Sequence, residues 1–306
     1  MISKEKRVKV FTQFGSLLKD VGKEKKTYSY PTSEVKTSLL QLNELVANLT
    51  RYNGWFDEQN VRRMMFSLGE CMAEEKLIKW MKMYEPYIST EKPPKTIAVV
   101  MAGNIPAVGF HDFLTVLFTG NKLLAKLSTD DDKLMPALAD LLISLDPGFK
   151  EQVQFTTDSL KSFDAVIATG SNNTSRYFEY YFSKYPHIIR KNRNGVAILN
   201  GDESDEDLVF LASDILDYYG LGCRNVSKIF VPENYDFANF LEIVAKRKEV
   251  TENHKYFNNY EYNKAIFLVN GNAHYDTGNL LIIKNAEIPS PISVLHYELY
   301  NDKDLL

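Results

Sequence analysis

Cys223 is one of only two cysteines in the chain and sits in the heptapeptide Tyr219-Gly220-Leu221-Gly222-Cys223-Arg224-Asn225. A lone cysteine is usually a small, buried, inert hydrophobe. Here Gly220 and Gly222 let other groups approach the backbone closely. The segment joins a helical pattern to a strand-like run at 227–232, a junction that can present the sulfur to a cleft. A thiol so placed is either a nucleophile or a core residue, and the heptapeptide alone leaves both readings open. The other cysteine, Cys71, falls in a methionine-rich helical stripe that reads as core filling, and it receives no catalytic role.

A second chemistry-bearing feature is Thr169-Gly170-Ser171, where a strand pattern meets a helix pattern through a short turn. A helix N-terminus after such a turn accepts a phosphate. Only Gly170 is present, so the dinucleotide fingerprint with three glycines is absent, and an ordinary βα connection stays open as a reading. The basic residues Arg190, Lys191 and Arg193 read as a solvated turn, with contact to cofactor or coenzyme A phosphates as the alternative. His111, inside a helical pattern, reads as a structural histidine. The five histidines, at 111, 187, 254, 274 and 296, lack the short spacings of zinc ligands, so no metal site is expected. The acidic run 202–207 reads as a helix start, and Glu203 within it as structural.

The elements around these residues follow a regular rhythm. Apolar positions at spacings of three and four predict helices over 34–52 (Val35, Leu39, Leu42, Leu45, Val46, Leu49), after Phe56-Asp57 (Val61, Met64, Met65, Leu68, Met72), and through Leu77, Ile78 and Met81. A strand is expected at 8–14. After Pro93-Pro94 come continuous apolar runs at 96–101 and 123–127, of the kind buried between helical layers. Helices are expected from Pro106 to 118 and over 134–145, the latter opened by Asp130-Asp131-Asp132. Further strands are expected at 152–155, 164–168, 196–199, 228–231, 265–269, 280–283 and 292–300. Helices fall through Tyr177–Phe182, at 207–216 and at 235–245. This β-α-β-α-β order predicts an α/β protein.

Composition bounds the class. A chain of 306 residues with 44% hydrophobic and 25% charged side chains can bury a substantial core in two domains, and it is not a disordered tail. No apolar run reaches a membrane-spanning length and the N-terminus lacks a signal-peptide core, which leads us to expect no membrane span and a cytoplasmic location. Two cysteines supply no disulfide framework. A net charge of -4 argues against nucleic acid as a partner.

Four segments, in this order and spacing, carry a resemblance: Met101-Ala102-Gly103-Asn104-Ile105-Pro106, then Gly120-Asn121 through Ala125-Lys126, then Ile167-Ala168-Thr169-Gly170-Ser171, then Gly220-Leu221-Gly222-Cys223-Arg224-Asn225-Val226-Ser227-Lys228. Over residues 95–300 the chain resembles the aldehyde dehydrogenase superfamily, and most of all the long-chain acyl-CoA reductases of bacterial bioluminescence systems. The resemblance implies a three-layer α/β, aldehyde-dehydrogenase-like fold. It comprises an N-terminal helical extension at 1–90 packing on the cofactor domain, a Rossmann-like cofactor-binding domain at 91–194, and a second α/β catalytic domain at 195–306. That last domain reads as C-terminally incomplete.

The resemblance also implies the roles. Cys223 takes the nucleophile position in the interdomain cleft, and Asn104 helps hold the thioester oxygen with the Cys223 backbone N–H. Lys126 approaches the adenine-side ribose and its phosphate, while Gly170 and Ser171 face the pyrophosphate. A thiolate attacks thioesters readily, and oriented N–H donors stabilise the oxyanion that forms. Coenzyme A leaves, and hydride from NADPH (NADH being the alternative) takes the acyl-enzyme to aldehyde. Hydrolytic relatives carry a glutamate base where this chain has Ile189-Arg190-Lys191-Asn192-Arg193-Asn194-Gly195, which contains no acid. Without a base to activate water, reduction is favoured over hydrolysis. A fatty acyl-CoA or other acyl thioester is therefore the expected substrate. An acyl-transfer or acyl-activating protein and a second copy of the chain are the expected partners. A short-chain CoA-acylating aldehyde dehydrogenase, or a noncatalytic nucleotide- or partner-binding protein, are the competing readings.

Overall fold

The computed structural model of the chain describes residues 2–25, 30–88 and 93–302. The chain forms two compact units, Met1–Lys191 and Asn192–Leu306.

The first unit begins with four helices, α1 (Lys4–Gly22), α2 (Ser33–Asn48), α3 (Glu58–Cys71) and α4 (Glu74–Tyr84). Ser3, Thr32 and Asp57 cap the first three by accepting a backbone N–H two or three residues into the helix. The strand expected at 8–14 is instead the middle of α1. Val10, Phe11, Phe14, Leu17, Leu18 and Val21 are buried at helical spacing, and tertiary packing overrides the β-branched and aromatic composition of that run. Two glycines set the α1–α3 approach. A Cβ on Gly15 would lie 2.7 Å from the Met72 Cβ, and one on Gly69 would lie 2.5 Å from the Gly15 carbonyl oxygen.

Six elements alternate next: β1 (Thr96–Val100), α5 (Phe110–Phe118), β2 (Lys122–Lys126), α6 (Leu134–Leu145), β3 (Val153–Thr156) and β4 (Ala165–Thr169). They are followed by α7 (Asn172–Phe182) and β5 (His187–Arg190). The sheet is wholly parallel, in the order β3-β2-β1-β4-β5. Right-handed crossovers running outward in both directions from β1 put α5 and α6 on one face and α7 on the other, giving the expected three layers. The first helices are not a separate body: one hydrophobic core runs from Ile2 through Phe11, Leu39 and Met65 to Leu142 and Phe149.

The second unit contains β6 (Gly195–Ile198), α8 (Asp205–Leu216), β7 (Val226–Pro232), α9 (Ala238–Ala245), α10 (His254–Val269), β8 (His274–Asp276), β9 (Leu281–Lys284) and β10 (Val294–Tyr300). Its sheet runs β6-β7-β10-β9-β8, parallel except for β8 against β9. The strand expected at 265–269 is the last turn and a half of α10. This helix is secured by tyrosine hydroxyls rather than by an apolar stripe: Tyr256 donates to the Asn279 carbonyl at 2.7 Å and Tyr260 to Asp276 at 2.6 Å. Residues 303–306, part of the tail behind the expectation of an incomplete C-terminus, lie outside the described residues. Among the described residues no helix is long and apolar enough to cross a membrane.

Candidate active site

In the first unit, four of the sequence-selected residues converge. Parallel pairing sets Val100 level with Lys126 on β2 and with Ala168 on β4. The loops leaving β1, β2 and β4 therefore emerge side by side, carrying Asn104, Lys126, and Gly170 with Ser171. The strand order reverses between β1 and β4, and ligands bind in the crevice that such a reversal opens at the carboxyl ends of the strands.

Each loop has a local cause. Gly170 has no room for a side chain: a Cβ there would meet Phe178 at 2.9 Å and Thr174 at 3.1 Å, both on α7. Its N–H donates to the Arg190 carbonyl at 3.1 Å, tying the turn to β5. Ser171 caps α7, its hydroxyl accepting the Thr174 N–H at 3.1 Å. The first-turn N–H groups of such a helix point outward with the positive end of its dipole. Lys126 is half-buried at the end of β2, and among the described residues its ammonium makes no ion pair. A close-approach glycine, an outward helix N-terminus and a lysine with no counter-ion among the described residues are compatible with the phosphates and ribose of a dinucleotide.

Asn104 is exposed on the turn after β1. The helix expected to start at Pro106 starts at Phe110, because Ala107 takes a left-handed φ of +52° and breaks the run. The cause is a residue the sequence reading passed over. Asp131, 4% exposed, accepts the Ala107 N–H at 3.0 Å. Burial pushes its carboxyl up to about 6, against the opposing pull of hydrogen bonds from the Ala107 and Leu134 N–H groups. The signal was present in the acidic run 130–132, which reads as a helix opening. Asp131 does serve α6 through Leu134, but it also anchors the Asn104 loop. On the same loop, a Cβ on Gly103 would lie 2.6 Å from the Ser128 hydroxyl, so the loops after β1 and β2 are in contact.

Arg190 is not a solvated turn residue. It ends β5 and grips Asp112 on α5 through two parallel hydrogen bonds, 2.6 and 2.9 Å. Burial alone would raise the Asp112 carboxyl. Hydrogen bonds from His111 and Arg190, with the charges behind them, outweigh it and hold the group below its ordinary range. Lys191 pairs with Glu179 at 2.9 Å. His111 is exposed, and its Nδ1 lies 3.6 Å from Asp112. Glu203 is structural as expected, accepting the Asn200 and Gly201 N–H groups in a turn.

In the second unit, Cys223 is exposed, as is Cys71, the last residue of α3. The bend before Cys223 is unusual: Tyr218, Tyr219 and Gly220 have φ of +53°, +60° and +72°, three consecutive left-handed residues. Only glycine adopts this region without cost. The bend is held from beyond by Asn225, two residues after the cysteine. Its side-chain oxygen accepts the Gly222 N–H at 2.8 Å, and its amide donates to the Asp214 and Asp217 carbonyls at 2.8 and 2.9 Å. Asp217 is itself fixed by Arg247 at 2.7 Å, and Arg247 also binds Ser213 and Glu249. Beyond the motif, Ser227 donates to the Ile288 carbonyl at 2.7 Å. The fully buried Lys228 donates to the Ala286 carbonyl at 2.6 Å and pairs with Glu298. The motif is thus one reactive-type side chain set among anchoring ones.

The family profile of acyl-CoA reductase (LuxC) matches residues 2–254. The chain belongs to the acyl-CoA reductase (LuxC) family. Solved structures agree on the fold. Aldehyde dehydrogenase 21 from Physcomitrella patens, in complex with succinate, superposes with a TM-score of 0.63 at 11% identity, covering 97% of this chain and 73% of that one. KauB, an aldehyde dehydrogenase from Pseudomonas aeruginosa, gives 0.62 at 13% identity, covering 99% and 68%. The P. syringae indole-3-acetaldehyde dehydrogenase AldA, a mutant form in complex with NAD+ and IAA, gives 0.61 at 13% identity, covering 99% and 68%. No curated protein sequence matches the chain. As an acyl-CoA reductase, the protein is an aldehyde-forming oxidoreductase that reduces a fatty acyl thioester with NADPH on an aldehyde-dehydrogenase-like fold.

Proposed function

We propose that Cys223 is the nucleophile of this acyl-CoA reductase. The observation that carries the proposal is an exposed cysteine at a bend whose backbone is fixed on both sides, by three left-handed residues before it and by Asn225 after it. The thiolate attacks the thioester carbonyl carbon; the carbon–sulfur bond to coenzyme A breaks, and coenzyme A leaves as its thiol. The acyl group stays on Cys223. The Asn104 amide and the Cys223 N–H are the donors assigned to the oxygen as it gains charge. The Gly170–Ser171 turn and the start of α7 hold the dinucleotide phosphates, and Lys126 neutralises the phosphate on the adenine side. When bound, the reduced nicotinamide supplies the hydride that brings the acyl group to aldehyde. Ile189, Arg190, Lys191, Asn192, Arg193, Asn194 and Gly195 place no carboxylate base in their stretch, which favours reduction over release of free acid.

A cytoplasmic location, a homodimer and an acyl-delivering partner protein belong to the same reading. Two free cysteines suit a reducing compartment. The test is to incubate the protein with a panel of acyl-CoAs and follow it by intact mass and by the absorbance of reduced cofactor. An acyl adduct that is absent in Cys223→Ala, together with NADPH oxidation only when acyl-CoA is present, is the expected result. Full turnover in Cys223→Ala, or an adduct elsewhere, sinks the assignment.

A further inference from the structure

Arg7, on α1, is 2% exposed, and its Nε and Nη1 find no hydrogen-bond partner among the described residues. A buried guanidinium ordinarily carries a counter-ion, because an isolated charge costs several kcal/mol to desolvate. Its place is made by Gly120: that residue takes a φ of +85°, and a Cβ there would lie 2.1 Å from Nη1. Arg7 lines a cavity of about 610 Å³. Lys95, immediately before β1, and Asn121, immediately before β2, line it too, so the cavity lies at the amino ends of the strands. The dinucleotide crevice is at their carboxyl ends.

The walls have two characters. Trp80, stacked on Phe118 at 5.1 Å, forms with Tyr84 and Tyr87 an aromatic side. Arg7, Lys95 and His111 supply the basic side chains, and no carboxylate lines the cavity among the described residues. Glu85, on the neighbouring turn, is paired with Lys4 at 3.4 Å. The size is that of a small-molecule site, and its charged lining among the described residues is basic, with Glu5 acting on Arg7 only through its charge.

We propose that this cavity binds a small apolar molecule ending in a carboxylate or phosphate, with the Arg7 guanidinium as the counter-ion of that head group. An arginine matches either anion with paired N–H donors, and the aromatic wall takes the apolar body. The site is independent of the chemistry assigned to Cys223.

Isothermal titration of the whole chain with dodecanoate, dodecyl phosphate and dodecanol, each below its micelle concentration, tests the proposal. Saturable binding of at least one anion is expected, weakened about tenfold or more in Arg7→Met. Dodecanol should bind more weakly and should not distinguish the two proteins. Preference between the two anions identifies the head group. Tyr87→Ala, at an 84% exposed position, should weaken the anion without disturbing the fold. This variant decides the matter should Arg7→Met not fold. No saturable binding of either anion, equal affinity in wild type and Arg7→Met, or dodecanol binding as well as dodecanoate overturns the proposal.

Discussion

The Asn225 side-chain oxygen accepts the backbone N–H of Gly222 at 2.8 Å, and the residue between Gly222 and Arg224 is Cys223. A single amide therefore closes the loop around the thiol while its other end holds two carbonyls at the end of α8 and just past it. Asn225 is a positioning residue. Asn225→Asp keeps the acceptor but turns the donor end into an anion facing two carbonyl oxygens. We expect a loss of stability of about 2–3 kcal/mol, from two lost hydrogen bonds and a carboxylate turned toward two part-buried carbonyl oxygens. We also expect a fall in the alkylation rate of Cys223 by iodoacetamide. A purely structural role would lower the melting temperature and leave the alkylation rate of the folded protein unchanged.

Gly170 is packed against Phe178, so Gly170→Ala forces α7 away from the turn. Overpacking of this kind costs about 1–3 kcal/mol. The expected outcome is a rise in KM for NADPH of roughly tenfold, with kcat changed much less and KM for acyl-CoA little altered. Steady-state kinetics in both substrates checks it, and an equal rise in both KM values would contradict a cofactor role for the turn.

Asp131 gives a pH dependence with a defined sign. Its folded carboxyl, pushed up to about 6, holds a proton more tightly than the ordinary carboxyl at 3.8. The folded state thus gains most below about pH 4. That gain is lost as pH rises to about 6, for a total on the order of 3 kcal/mol. Asp131→Asn removes the titration. In paired melting curves from pH 4 to 8, the wild type should lose stability relative to the variant between pH 4 and 6 and stay lower above it. A constant difference across the range would show that Asp131 does not titrate in this window.

The parallel sheet of the first unit was legible because its strands are short, continuous apolar runs bounded by turn residues: 96–101, 123–127 and 164–168 all became strands within one or two residues. The placement of Asn104, Lys126, Gly170 and Ser171 at or just after the carboxyl ends of these strands was legible for the same reason, since each lies at the end of a strand that could be read. The misreadings have physical causes. Val8 to Phe14 look like a strand in isolation, and only their burial against α3 and the first sheet's helices selects the helix. Asn, Tyr and Phe dominate α10, which is therefore fixed by long-range hydroxyl bonds that no local pattern reveals. Arg190 looked like a solvated turn residue because its partner, Asp112, is 78 positions away. Asn225 lay inside the motif that drew attention, but its function rests on backbone carbonyls that have no sequence signature.

Two of the three left-handed residues before Cys223 are tyrosines, which do not choose that conformation for themselves. The surrounding fold imposes it, at about 1–2 kcal/mol for each of Tyr218 and Tyr219. A segment so constrained is the first to relax when its supports loosen, well before strands with complete ladders separate. Inactivation should therefore run ahead of unfolding: in a urea series, turnover should vanish at a lower concentration than the circular dichroism of the sheets. Over that interval the protein would be a folded enzyme whose sulfur has lost its aim.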